Sequence, residues 1–279
     1  MQETGYIKSR NQMVKSETLI GLLIVLWAAP FSVLAQFDHA AWDGLLKEHL
    51  LLIDEGRVTQ VDYANMERDR SQLQTYLAQI AAVDRATFEA WSEDEQLAFL
   101  INTYNAWTVE LILSEYPLGS IRSIGFLPGS AWRRNIVSLF GEQVSLDDVE
   151  HGMIRGWGLY KEPRIHFAVN CAAIGCPALR AEAYDGDRLQ QQLEENTRLF
   201  LADQQRNHFD GNTLYISRIF DWYEEDFQQG WGGVNSVQEF LAQYSDALGL
   251  SVDKRTALLS GEIRLRYLRY NWGLNDSDS

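Results

Sequence analysis

Apolar and polar positions along this chain follow periods that change from segment to segment, and each change marks an element. Between Ala40 and Asp54 the apolar residues Trp42, Leu45, Leu46, Leu50 and Ile53 recur every three or four positions, which predicts an amphipathic helix closed by Gly56. A short strand is expected over 58–63, and a second helix over 65–82 with Leu73, Leu77, Ile80 and Ala81 on its buried stripe. Ser92 and Glu95 have the spacing of a capping box, and the helix they open runs until Pro117. It is apolar nearly all round, which predicts a long, buried, central element, yet Asn102 and Asn105 share one of its faces.

Further along, 136–146 reads as two short strands joined at Gly141-Glu142, and Ser145 with Asp148 caps a helix reaching about Arg155. Residues 164–170 look strand-like and end in a turn over 171–177. A helix over 187–203, a strand over 213–217, an acidic-aromatic helix around IFDWYEEDF and a helix over 237–244 follow. In the last strand, 262–270, Ile263, Leu265 and Tyr267 alternate with Arg264 and Arg266. The expected fold is α+β: a mostly antiparallel sheet packed against a long central apolar helix and several amphipathic helices. No repeat or flexible linker divides residues 36–279, so a single globular domain is expected there.

The N-terminal segment follows different rules. Lys8, Arg10 and Lys15 precede the apolar run LIGLLIVLWAA, and Val33-Leu34-Ala35 offers small residues for cleavage. This is the layout of a signal peptide over 1–35, with a mature chain starting at Gln36 and Met13 as an alternative start. A periplasmic or extracellular location follows, with no stable membrane insertion after cleavage.

The expected mature chain carries 21 basic and 37 acidic side chains, a net charge of −16. Such a surface repels phosphate backbones, which disfavours nucleic acid as a partner. An unknown small molecule or peptide of the cell envelope is the better expectation.

Candidate chemistry is densest in HFAVNCAAIGCP, residues 166–177. On a strand, His166 and Asn170 would share a face and Cys171 would point away. Two readings stay open. Cys171 and Cys176, the only cysteines, form a disulfide in an oxidising compartment; or Cys171 is a nucleophile activated by His166. Asn102, Asn105, His166 and Asn170 are the candidate lining of one polar pocket, with the amides orienting the imidazole or tying down a loop.

Asp147, Asp148, Glu150 and His151 resemble a metal cluster, but a helix start explains the acids, so no metal is expected. Asp221, Glu224, Glu225 and Asp226 suit either a glycosidase carboxylate pair or a solvated helix face. No motif asks for a cofactor, and metalloprotease, phosphate-loop and serine-hydrolase signatures are absent from the sequence.

The blocks GRVTQVDY, FLINTYNAW, EYPLGSI, PRIHFAVNCAAIGCPAL, IFDWYEEDF and YNWGLN together resemble the domain of unknown function 547 family. In that resemblance Asn102, Asn105, His166, Asn170 and Cys171 occupy the signature positions. It implies a shared fold and a shared pocket, and no reaction. Two function classes therefore remain: a binding module for a ligand or peptide around His166, or an envelope hydrolase or acyltransferase using His166 and Cys171 or a bound water.

Overall fold

A computed structural model describes residues 36–277, together with residues 1, 2 and 5. The expected signal peptide lies outside the described residues. The chain is α+β, built from helices and three small sheets.

Helix α1 (Ala40–His49) is shorter than its apolar period suggested. Leu50–Ile53 instead forms strand β1, paired antiparallel with β2 (Val58–Val61) in the register Leu50 to Val61. The chain reverses through Asp54, Glu55 and Gly56, all with φ between 52° and 85°. Gly56 thus closes a hairpin rather than a helix. Four-residue α2 (Tyr63–Met66) is followed by a separate helix α3 (Arg70–Ala81), so the single helix expected over 65–82 is broken before Arg70. Short α4 (Arg85–Glu89), which the periodicity did not reveal, precedes α5 (Glu93–Glu115).

The Ser92 hydroxyl accepts the Glu95 N–H at the start of α5. Glu95 does not complete the box, because its carboxylate accepts the Phe37 N–H. Between Gln96 and Leu113 every residue except Trp107 and Glu110 is buried. The interior of α5 is not uniformly apolar: Asn102, Thr103, Asn105 and Thr108 are buried in it. The two asparagines join the helix to neighbouring loops, while the Thr103 hydroxyl donates back to the Phe99 carbonyl of the same helix.

Strands β3 (Val137–Leu139) and β4 (Glu142–Val144) form a tight hairpin turned at Phe140 and Gly141, both at positive φ. Ser145 and Asp148 form the expected reciprocal box, each side chain accepting the other's backbone N–H. The segment it opens, Asp148–Ile154, is a π-helix.

The largest departure concerns residues 164–170, expected as a strand. Pro163–Phe167 is instead a 3₁₀ helix, started by Pro163 and by the Glu162 carboxylate, which accepts the Arg164 N–H. All eight residues from Pro163 to Asn170 are buried, so no face was left to solvent and no period to read.

Helices α6 (Leu189–Ala202), α7 (Ile219–Trp222) and α8 (Val237–Gln243) fall where expected. Strand β5 (His208–Asp210) and helix α9 (Val252–Leu259) were not foreseen. Strand β6 (Thr213–Ile216) pairs antiparallel with β5, while β7 (Arg264–Tyr267) lies parallel to β6. The last strand therefore departs from the antiparallel pairing expected of it.

Two hydrophobic clusters fill the interior. The larger gathers α1, α3, α5 and the π-helix; the smaller sets Phe167, Phe200, Phe220, Phe227 and Phe240 among aliphatic side chains such as Leu214, Ile216 and Leu241. Ile165, Ala168 and Val169 belong to the first and Phe167 to the second. The 3₁₀ segment thus runs along the seam between them, and His166 lies on that seam.

Candidate functional site

A cavity of about 470 Å³ opens beside His166. Its wall is assembled from six stretches of chain: Tyr104 of α5, the segment 122–132, the π-helix with Asp147 before it, the 3₁₀ segment and the cysteine turn, the end of α7, and the C-terminal segment after β7.

His166 is 2% exposed. Its Nε2 lies 2.6 Å from Asp226 Oδ2. Arg155 holds the same carboxylate, with Nε 2.5 Å from Oδ2 and an Nη 3.2 Å from Oδ1. Burial would raise the Asp226 carboxyl, but hydrogen bonds from His166 and Arg155 outweigh it and bring the group down to about 2. Asp226 is therefore an ionised acceptor, and His166 Nε2 carries the proton that it accepts. For His166 burial dominates in the other direction and lowers its pKa despite the carboxylate beside it. A neutral imidazole with its proton on Nε2 presents an acceptor lone pair at Nδ1. That Nδ1 has no hydrogen-bond partner among the described residues.

The His166 ring stacks on Tyr223, with centroids 3.9 Å apart. The Tyr223 hydroxyl donates to Glu150 Oε1 at 2.7 Å, and Tyr104 also reaches Glu150. Glu150 is 5% exposed and lines the cavity. No Lys or Arg nitrogen lies within ion-pair distance of it among the described residues; its nearest ring nitrogen is His151 Nδ1 at 3.9 Å. The π-helix explains how adjacent Glu150 and His151 both reach the cavity, because its wider turn aims side chains that an α-helix would spread further round its axis. Gly156 is required behind that turn: a Cβ there would lie 2.6 Å from the carbonyl oxygens of both Gly152 and His151.

Aromatic rings form the rest of the wall. Trp222 stacks on Trp272 at 5.7 Å, Trp132 meets Trp272 edge-on at 5.8 Å, and Tyr270 lies 4.6 Å from Trp272. The backbone N–H of Asp147 donates to the Trp132 carbonyl, which ties this carboxylate to the same wall. Arg122 lies over the Trp272 ring at the mouth, with its Cζ 5.1 Å from the centroid.

Cys171 and Cys176 are joined by a disulfide, which forms part of the wall. Of the two readings open for this pair, the structure carries the disulfide. A bonded sulfur has no thiolate, so Cys171 is not an activated nucleophile in this state. The Tyr270 hydroxyl lies 3.3 Å from Cys171 Sγ and 3.2 Å from Cys176 Sγ.

The three asparagines do not line the cavity. Asn102 exchanges two hydrogen bonds with the backbone of Tyr184. Asn105 donates to the Ala168 carbonyl and accepts the Asn170 N–H, clamping the chain just past His166. Asn170 in turn donates to the Pro177 carbonyl and accepts the Ala172 N–H, which shapes the disulfide loop. Asn105 and Asn170 are thus brought together and Asn102 is apart from them. Each of the three amides is bonded to backbone at both its nitrogen and its oxygen, and Asn105 and Asn170 hold the chain that carries His166 and the cysteines.

Asp147, Glu150 and His151, which a helix start seemed to account for, contribute to the wall, while Asp148 serves as the cap. Among the described residues, the histidine-carboxylate group whose ligand atoms gather within 4.8 Å is Glu48, His49 and Asp69, outside this cavity. Asp221, Glu224 and Glu225 are exposed, in keeping with a solvated face, but Tyr223 and Asp226 turn inward.

Residues 88–201 match the family model described as protein of unknown function, DUF547. This segment belongs to that family. The DUF547 match spans α5, Glu150, His166 and the cysteine pair, and ends before Tyr223, Asp226 and the C-terminal tryptophan. No curated protein and no solved structure matches the chain.

Proposed function

We propose that this chain is an exported binding module that takes a small molecule into the cavity beside His166. Export is supported by the charged-then-apolar N-terminus and the small residues before Gln36. One observation carries the binding reading: a cavity of about 470 Å³ is walled by tryptophan and tyrosine rings and by the Asp147 and Glu150 carboxylates. Apolar walls with a few convergent polar groups are the usual make-up of a small-ligand site. With Cys171 bonded, binding without a covalent step is favoured over acyl transfer through the thiol.

A screen of small amines, alcohols, carboxylates and neutral sugars tests this, read by the tryptophan fluorescence of the full chain. Binding is expected for at least one class, and it is expected to disappear in Val169→Phe, which fills the cavity from a position in its wall. No response from any class, or a response that survives the filled cavity, would overturn the reading.

A further inference from the structure

The hydrogen-bonding character of the cavity indicates which class of molecule it takes, given the binding reading above. Its inner wall is rich in acceptors. Glu150 is buried, receives only phenol hydroxyls, and lacks an Arg or Lys partner among the described residues. Asp147 adds a second carboxylate. Tyr223 donates to Glu150 and stacks on the His166 imidazole, so an aromatic face lies beside the carboxylate. The cations nearby are already occupied: Arg155 is held by Asp226, and Arg122 lies over Trp272 at the mouth.

A buried carboxylate with no Lys or Arg in direct contact is stabilised when a positive group joins it. Indole and phenol faces attract cations and give contact area to an apolar body. A carboxylate ligand would be repelled, a sugar would bring acceptors that find few donors inside, and a quaternary ammonium would bring no N–H to Glu150.

We infer that the ligand is a protonated primary amine, with its ammonium group at the Glu150 carboxylate and its apolar body against Trp132, Trp222 and Trp272. The cavity is large enough for an arylalkylamine, and 2-phenylethylamine is a suitable probe.

Isothermal titration of the full chain with three compounds of similar shape tests the assignment. These are 2-phenylethylamine, its N,N,N-trimethyl derivative, which keeps the charge but has no N–H, and 2-phenylethanol, which has a donor but no charge. The amine is expected to bind most tightly, with each analogue weaker by about tenfold or more. Glu150→Gln, which keeps an acceptor for Tyr223, is expected to weaken the amine by about tenfold and leave the alcohol unchanged. If that variant does not fold, the wild-type ranking decides alone.

Equal or tighter binding of the alcohol, or of a neutral sugar, would overturn the amine assignment and leave the binding module standing. Equal binding of the trimethyl derivative would remove N–H donation to Glu150 from the recognition and overturn the proposed pose. Absence of binding by every probe would overturn both the assignment and the binding reading.

Discussion

His166 and Asp226 are sixty residues apart in sequence, and their side chains meet at 2.6 Å across the seam between the two hydrophobic clusters. The contact selects the imidazole tautomer and, with Arg155, fixes the position of the carboxylate.

This pair couples stability to acidity. The folded value of His166 lies below the ordinary 6.5, so its contribution is intact above that value and is lost as pH falls from there towards the folded value. Asp226 is depressed to about 2, so its contribution is present above the ordinary 3.8 and is lost as pH falls towards 2. Both signs predict acid destabilisation. Urea midpoints of wild type should fall from pH 7 to pH 3, and Asp226→Asn should flatten the part of the curve below about pH 4. An unchanged slope in that variant would show that other groups set the acid limb.

Asn105 should prove structural at a distance from the cavity wall. Asn105→Ala removes the acceptor of the Asn170 N–H and the donor to the Ala168 carbonyl, both buried, at a cost of about 2–4 kcal/mol in unfolding free energy. Asn105→Asp keeps the acceptor, loses the donor and buries a charge, so it should be at least as damaging. Denaturant unfolding of the two variants checks this, and a loss below about 1 kcal/mol in both would contradict the clamp.

The disulfide predicts no reactive thiol in denatured, unreduced protein and two after reduction, measurable by thiol titration. Because it closes a ring between positions only five apart, replacing both cysteines by alanine should cost about 2 kcal/mol, near the lower end for such cross-links. Two reactive thiols before reduction would return Cys171 to the list of nucleophiles.

Local signals were legible where one face meets solvent. The Ser145 and Asp148 box, the hairpin over 137–144 and the amphipathic α6 follow from capping, turn chemistry and period. The strand expected over 164–170 failed because a segment buried on every side has no alternation to report. The run Asp221 to Asp226 misled in part for the opposite reason: Asp221, Glu224 and Glu225 do face water, and nothing in the sequence separates Asp226 from them. Its role comes from the chain bringing it against His166 and Arg155, which is a tertiary fact. The asparagines were rightly singled out as buried amides needing partners, but the partners are backbone groups.

The placement of His166 between the two hydrophobic clusters has a mechanical consequence. Its neighbours Ile165 and Phe167 are anchored in different clusters, so any slippage of one cluster against the other would be transmitted through the imidazole. A guest molecule bridging Glu150 and the C-terminal tryptophan would act as a rivet across that joint, and its departure would loosen both sides together.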